Sequence, residues 1–328
     1  MIGSRFAVGW VVGLLALAAA CDGRAPREPG EDCPRGTLDQ SYCDRDGDLL
    51  ADPPTEGVNP SVLIFAYTPV EDPAQYREAW QGFLEHLERE TGKPVRFYPV
   101  QSNAAQIEAM RAGRLHVAGF STGSVPLAVN AAGFRPFAMM AHRDGRFGYR
   151  SVIITLQSGN IDEVEDLRGR KVAFSSPTSN SGFKAPSAIL KTHYGIDVER
   201  DLDAVFSGKH DNSILGVLHG DYDAAAVADE ILHRMVAKGI VDVARLRTVY
   251  RSEVFPSTAY GVAHDLDEDL RESIRKAFFS FDWRGSALEQ AFSGNAGDSF
   301  RQVDYKEQWK VIREIDLAHG VRYVPGSE

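Results

Sequence analysis

Hydrophobic positions along this chain fall into short β-rich runs separated by stretches with helical spacing. Ser61–Tyr67 (SVLIFAY) predicts a buried strand. A helix follows over Ala74–Thr91, where Trp80, Phe83, Leu84 and Leu87 recur at i, i+3, i+4 and i+7 and Gly92 supplies a stop. Val95–Val100 reads as a strand, Ala104–Ala112 as a helix and Leu115–Phe120 as a strand, with Phe137–His142 and Ser151–Thr155 as further strands. This alternation predicts a parallel sheet with helices on both faces.

A second set of the same kind begins near residue 150. Val172–Phe174, Ala204–Phe206, Tyr222–Val227 and Leu246–Tyr250 read as strands, interleaved with helices over Gly182–Tyr194, Asn212–Leu218 and Glu230–Lys238. Thr258–Val262 then reads as a strand, and Asp267–Phe279 and Lys306–Leu317 as helices. Two α/β sets and a terminal return segment predict two lobes, with ligand in the crevice at the carboxyl ends of the strands. Residues 61–145 with 252–328 form lobe 1 on this reading, and residues 146–251 form lobe 2.

The N-terminal sixth of the chain lacks that periodicity. Arg5 precedes a fifteen-residue apolar stretch, Phe6–Ala20, which ends Leu17-Ala18-Ala19-Ala20-Cys21. That length suits a signal-peptide core better than a membrane span. Small residues before the cysteine resemble a bacterial lipobox, so residues 1–20 are expected to be a signal peptide and Cys21 a lipidated anchor at the periplasmic or cell-surface membrane. Residues 21–60 are rich in Asp, Glu, Pro and Gly and read as an acidic tether. Cys33 and Cys43 are a matched pair for an oxidising compartment, and their spacing allows a small disulfide loop. Between them and the first strand, Asp44, Asp46, Asp48 and Asp52 surround Gly47. Carboxylates alternating about a glycine resemble calcium loops, although the closing Glu of an EF-hand is absent. A bound calcium and a solvated acidic turn both remain open at this point.

Net charge removes one class of partner. The chain carries 46 acidic and 36 basic residues, a formal charge of −10, which disfavours a nucleic-acid surface. A small anion is not excluded, because a few local donors can outweigh the global field. The segment best suited to supply them is Phe174-Ser175-Ser176-Pro177-Thr178-Ser179-Asn180-Ser181-Gly182, where a predicted strand ends, a hydroxyl-rich turn follows and a helix begins. N–H groups at a helix start point outward with partial positive charge, and hydroxyls add donors without bulk. Plain N-capping would need one such residue rather than four.

This segment resembles the Ser-Thr-Ser-Gly loop of the phosphonate-binding periplasmic proteins, a branch of the type II periplasmic-binding fold. Further segments resemble that family in the same order. Phe65-Ala66-Tyr67-Thr68-Pro69 matches the end of its first strand, and Tyr149-Arg150-Ser151 its entry to the second lobe. Asp166–Phe174 resembles the strand before the serine loop, and Gly208-Lys209-His210-Asp211 a Gly-x-His-acid turn. The resemblance spans about residues 61–280. It implies a two-lobed α/β fold with a hinge and an interlobe cleft, and a monomeric binding protein that delivers a phosphate-, phosphite- or phosphonate-type oxyanion to an ABC permease and its ATPase.

Carried over by position, Thr178, Ser179, Asn180 and Ser181 would hold the anion, with Asn180 replacing the family's usual Thr. Tyr67, Ser121 and Tyr149 would close the pocket. His210 would donate to the anion, and Asp211 or Asp229 would accept from a protonated oxygen or amino substituent; either carboxylate could instead be a helix N-cap. No cofactor is expected beyond a calcium in the N-terminal segment, and no enzyme, since Gly-x-Ser-x-Gly, phosphate-loop and His-Glu-x-x-His motifs are absent. An anion-sensing receptor of the same fold, and a hydrolase built on Ser179 and His210, stand as the alternatives.

Overall fold

A computed structural model describes residues 33–69, 74–292 and 297–323. Its strands in chain order are β1 (Leu63–Tyr67), β2 (Val95–Phe97), β3 (Val117–Phe120), β4 (Phe134–Ala141), β5 (Tyr149–Leu156) and β6 (Lys171–Phe174). They continue with β7 (Asp203–Phe206), β8 (Ala224–Ala228), β9 (Leu246–Phe255), β10 (Ala259–Ala263) and β11 (Ser299–Gln302). Two mixed sheets result, one in the order β11-β4-β10-β3-β1-β2 and the other β7-β6-β8-β5-β9.

The expectation of purely parallel sheets is corrected. β1 pairs parallel with β2 and β3, and β6 with β7 and β8, as in-lobe βαβ connections require. The strands that arrive from the other lobe run against their neighbours: β5 is antiparallel to β8, and β10 to β3 and β4. The chain thus crosses between lobes twice, through residues 142–148 and 256–258. β9 keeps its pairing with β5 to Phe255, a few residues past the expected lobe boundary.

The two cores differ in kind. Lobe 1 is filled by aromatic rings, with Trp80 and Phe83 of the helix Ala74–Thr91 meeting Phe65, Tyr260 and Phe278. Lobe 2 buries a mainly aliphatic set around Ile153, Val172, Leu190 and Ile196. The predicted i, i+3, i+4, i+7 stripe of the first helix is buried throughout, at Trp80, Phe83, Leu84 and Leu87.

Residues 33–60 are not a free tether. Leu38, Leu50 and Ala51 are buried in the lobe 1 core. Asp39 N–H donates to Asn130 O (2.9 Å), Arg135 Nη1 donates to Ala51 O, and Val58 bridges Leu266. Sparse apolar residues suffice here because the lobe surface, rather than the segment itself, supplies the other side of the contact. Cys33 and Cys43 form a disulfide with Cα atoms 5.3 Å apart. The expected signal peptide and Cys21 lie outside the described residues.

Candidate ligand-binding cleft between the lobes

The serine segment folds as it does because of Pro186. Regular helix begins only at Ala185, with Pro186 in its first turn, not at Gly182 as the spacing predicts. Asn180–Lys184 instead forms one wide turn, in which Lys184 N–H donates to Ser179 O (3.0 Å) and Ala185 N–H to Asn180 O. Proline has no N–H to return to the preceding turn. The carbonyls of Ser181 and Gly182 are taken from outside, by Ser151 Oγ (2.8 Å) and Ser175 N–H (3.1 Å). Ser179 Oγ caps the turn by accepting from Gly182 N–H (3.0 Å). A side chain at Gly182 would place its Cβ 1.8 Å from Ser175 Oγ, so only glycine fits.

The amide N–H groups of Asn180 and Ser181 occupy the open start of that turn. Both residues line a 40 Å³ cavity between the lobes, room for about three waters or one compact ion. Ser121, Tyr149, Ser179, Asn180, Ser181 and His210 all line it. Asn180 Oδ1 and Ser175 Oγ are buried there without a hydrogen-bond partner among the described residues. Asn180 Nδ2 donates to Tyr149 Oη (3.2 Å). Burial pushes the Tyr149 phenol up to about 12, with hydrogen bonds from Thr122, Asn180 and Ser181 pulling the other way, so it stays protonated.

His210 is a donor by construction. Its Nδ1 accepts from Ala228 N–H (3.2 Å), which leaves the ring proton on Nε2, 3.4 Å from Ser179 Oγ. Burial, aided by the Arg234 charge, lowers its pKa to about 4, so the ring is neutral at pH 7. A neutral imidazole that offers Nε2–H to serine cannot take that serine's proton. The pair therefore lacks the base a serine hydrolase needs.

Four expected ligand residues sit elsewhere. The Tyr67 ring faces inward from β1 and packs on Tyr76 (4.5 Å) and Trp80 (5.5 Å). Asp229 turns its carboxylate to Arg150 N–H (2.8 Å) and Arg251 Nη1 (3.3 Å). Asp211 lies in the first turn of helix His210–His219 and does not reach the cavity wall. Thr178 Oγ1 accepts from Asn103 Nδ2 (2.9 Å), a bond that spans the two lobes. The sequence reading missed Asn103, Thr122 and Glu230, all on the wall, and quoted Ser175 in the serine segment without giving it a contact. Glu230 was findable: it follows Asp229 at a helix start, and consecutive helical residues point about 100° apart.

Behind the turn lies a buried ion pair. Lys184 is 5 % exposed and Asp316, on the C-terminal helix Lys310–Ala318, 1 %. Lys184 Nζ bonds Asp316 Oδ1 and donates to Gly123 O (2.7 Å), while Tyr323 Oη donates to Asp316 Oδ2 (2.8 Å). Burial lowers the Lys184 pKa, and Asp316 opposes that shift. Gly123, on lobe 1, approaches so closely that a Cβ there would lie 2.4 Å from Thr178 O and 2.5 Å from Asn180 N. The lobes are closed on each other at this point.

Two α/β lobes joined by two crossings, with a closed polar cleft between them, define a type II periplasmic-binding fold. The family described as the periplasmic phosphonate substrate-binding protein of ABC transporters matches residues 65–309, and the chain belongs to it. It is 27% identical to the phosphate-import protein PhnD of Mycolicibacterium smegmatis over 96% of each chain. It is 24% identical to the phosphonates-binding periplasmic protein of Escherichia coli, over 67% of this chain and 66% of that one. Among solved structures, PhnD1 of Prochlorococcus marinus in complex with methylphosphonate superposes with a TM-score of 0.69 at 21% identity, covering 80% of this chain and 100% of that one. A binding protein component of a phosphonate transporter from Pseudomonas aeruginosa gives 0.72 at 20% identity, covering 80% and 87%.

Proposed function

We propose that this chain captures a compact, partly protonated oxyanion of the phosphate, phosphite or phosphonate class and presents it to an ABC permease, acting as a monomer held at the membrane by a lipid on Cys21. The observation that carries this reading is the donor-rich lining of a 40 Å³ cavity by Ser121, Tyr149, Ser179, Asn180, Ser181 and His210, the last with its proton on Nε2. One cation, Lys209, and one carboxylate, Glu230, stand on the same wall. A carboxylate beside an anion is repulsive unless the anion carries a hydrogen that it can accept. That role, expected of Asp211 or Asp229, passes to Glu230. The neutral His210 supports binding without catalysis.

Calorimetry on the mature protein with phosphate, phosphite, methylphosphonate, aminoethylphosphonate, sulfate and selenate tests the reading. Protonated phosphorus oxyanions are expected to bind more tightly than sulfate, which has no proton to offer Glu230 near pH 7. Ser179→Ala and Ser181→Ala should each weaken the best ligand roughly ten- to a hundredfold, since a charge-assisted bond contributes about 1.5–3 kcal/mol. Sulfate bound as tightly as phosphate, or serine variants with unchanged affinity, would overturn it. Retention of a Cys21→Ala variant in the membrane fraction would remove the anchor.

A further inference from the structure

We propose that the N-terminal acidic loop is a calcium site that pins residues 33–60 onto lobe 1. Asp44, Asp46 and Asp48 each bring a carboxylate oxygen to within 4.8 Å of the other two. Acidic clusters at protein surfaces are common, and proximity alone says little. The burial of Asp44 adds an independent observation. It is 8 % exposed, its Oδ2 accepts from Leu49 N–H (3.2 Å), and its Oδ1 is buried with no hydrogen-bond partner among the described residues. An ionised oxygen removed from water without a donor is costly unless a cation meets it.

The cations that approach the loop do not bond this oxygen. Arg135 Nη2 meets Asp48 Oδ2 (3.3 Å), Lys306 Nζ donates to Gly47 O (3.0 Å), and Arg45 is paired with Asp52 (2.9 Å). That last pair corrects the expected ligand set. Asp52 accepts from both the backbone N–H and the guanidinium of Arg45, so three aspartates remain instead of four. An all-oxygen set selects a hard cation over zinc or copper. Three converging carboxylates suit calcium, which takes six to eight oxygens in adaptable geometry, better than magnesium, which keeps most of its waters.

The loop's neighbours say what binding would do. Cys43 of the disulfide precedes it, and Leu50 and Ala51, buried in the lobe 1 core, follow it. A cation there offsets the mutual repulsion of the three carboxylates, so its binding free energy adds to the stability of the folded loop and of the extension that carries it.

The test uses the oxidised mature chain, stripped with a chelator and titrated with calcium chloride alone, then magnesium chloride alone, at fixed ionic strength. Calorimetry should give one calcium site with a dissociation constant on the order of 10⁻⁵–10⁻³ M and a rise in melting temperature. Asp46→Asn, at an exposed position, should weaken calcium at least tenfold and leave oxyanion affinity unchanged. No heat and no melting shift up to about 10 mM calcium, beyond the range of weak extracellular modules, would overturn the site. So would Asp46→Asn binding calcium like the wild type, and equal affinity for magnesium would overturn its assignment to calcium. All three readings are independent of whether the cleft binds any oxyanion.

Discussion

The serine turn Ser179–Lys184 and the acidic loop Asp44–Asp48 are both short, polar and interrupted by glycine, yet they offer opposite chemistry. The first lines its cavity with hydroxyl and amide side chains and is held between two lobes. The second gathers carboxylate oxygens, and the bonds that hold it from outside, through Arg135 and Lys306, come from lobe 1. A chain of net charge −10 can thus build sites of either sign, because backbone direction and the nearest few side chains set the local potential. The backing differs as well. Behind the acidic loop stand two cations, whereas the lysine behind the serine turn is already neutralised by Asp316. Mostly dipoles, with Lys209 as the cation, therefore line the cavity. Such a site suits a protein that must release what it binds.

The largest expected effect tests that backing. Removing one partner of a buried ion pair leaves the other uncompensated and costs about 3–5 kcal/mol. Lys184→Met and Asp316→Ala should each destabilise the protein by that order in urea melts, while the double variant Lys184→Met/Asp316→Leu should recover part of the loss. Single variants that melt like the wild type would mean the serine turn is no more firmly backed than the exposed acidic loop.

A smaller effect, specific to pH, comes from His210. Its folded pKa of about 4 lies below the ordinary 6.5, so between these values the unfolded chain binds a proton that the folded chain does not. The His210 contribution is therefore intact above pH 6.5 and is lost as pH falls toward 4, up to about 3 kcal/mol. Stability of His210→Gln relative to wild type should rise over that window. A constant difference between the two would show His210 to be charged or exposed, and the acid–base assignment at Ser179 would fail.

Much of this was legible in the sequence, and the gaps have physical causes. Periodicity located the strands and helices of both lobes, and the run Ser175–Gly182 marked the turn that lines the cleft. Strand direction was not legible: β5 and β10 run against their neighbours because they enter from the other lobe, which spacing along the chain cannot encode. The docking of residues 33–60 escaped for a similar reason, since Leu38, Leu50 and Ala51 bury themselves against a surface made by distant residues. Asp229 and Glu230 were adjacent candidates, and only the helix phase fixed by Arg150 and Arg251 assigns one to structure and the other to the cavity. The Lys184–Asp316 pair joins residues 132 positions apart, and nothing local announces it.

The smallest expected effect separates the two turns by their relation to closure. Asn103 sits at the start of helix Asn103–Arg111 on lobe 1, behind the N-cap Ser102. Its Oδ1 accepts from Thr68 Oγ1 (3.1 Å) and Ser121 Oγ (3.4 Å), which orients its Nδ2 toward Thr178 Oγ1 across the cleft (2.9 Å). That bond exists only when the lobes are closed, so its loss should raise the cost of closing without weakening either lobe. A neutral hydrogen bond contributes about 0.5–1.5 kcal/mol net, so Asn103→Ala should weaken oxyanion binding by roughly three- to tenfold. The loss should appear mainly as faster release, because open-state encounter does not use the bond. Thr178→Val should match it, and the double variant should add nothing further if the two act through one contact. Calcium binding at the acidic loop should not change in any of the three. Additive losses in the double variant would break the assignment of Asn103 and Thr178 to a single interlobe bond and return Thr178 to the ligand.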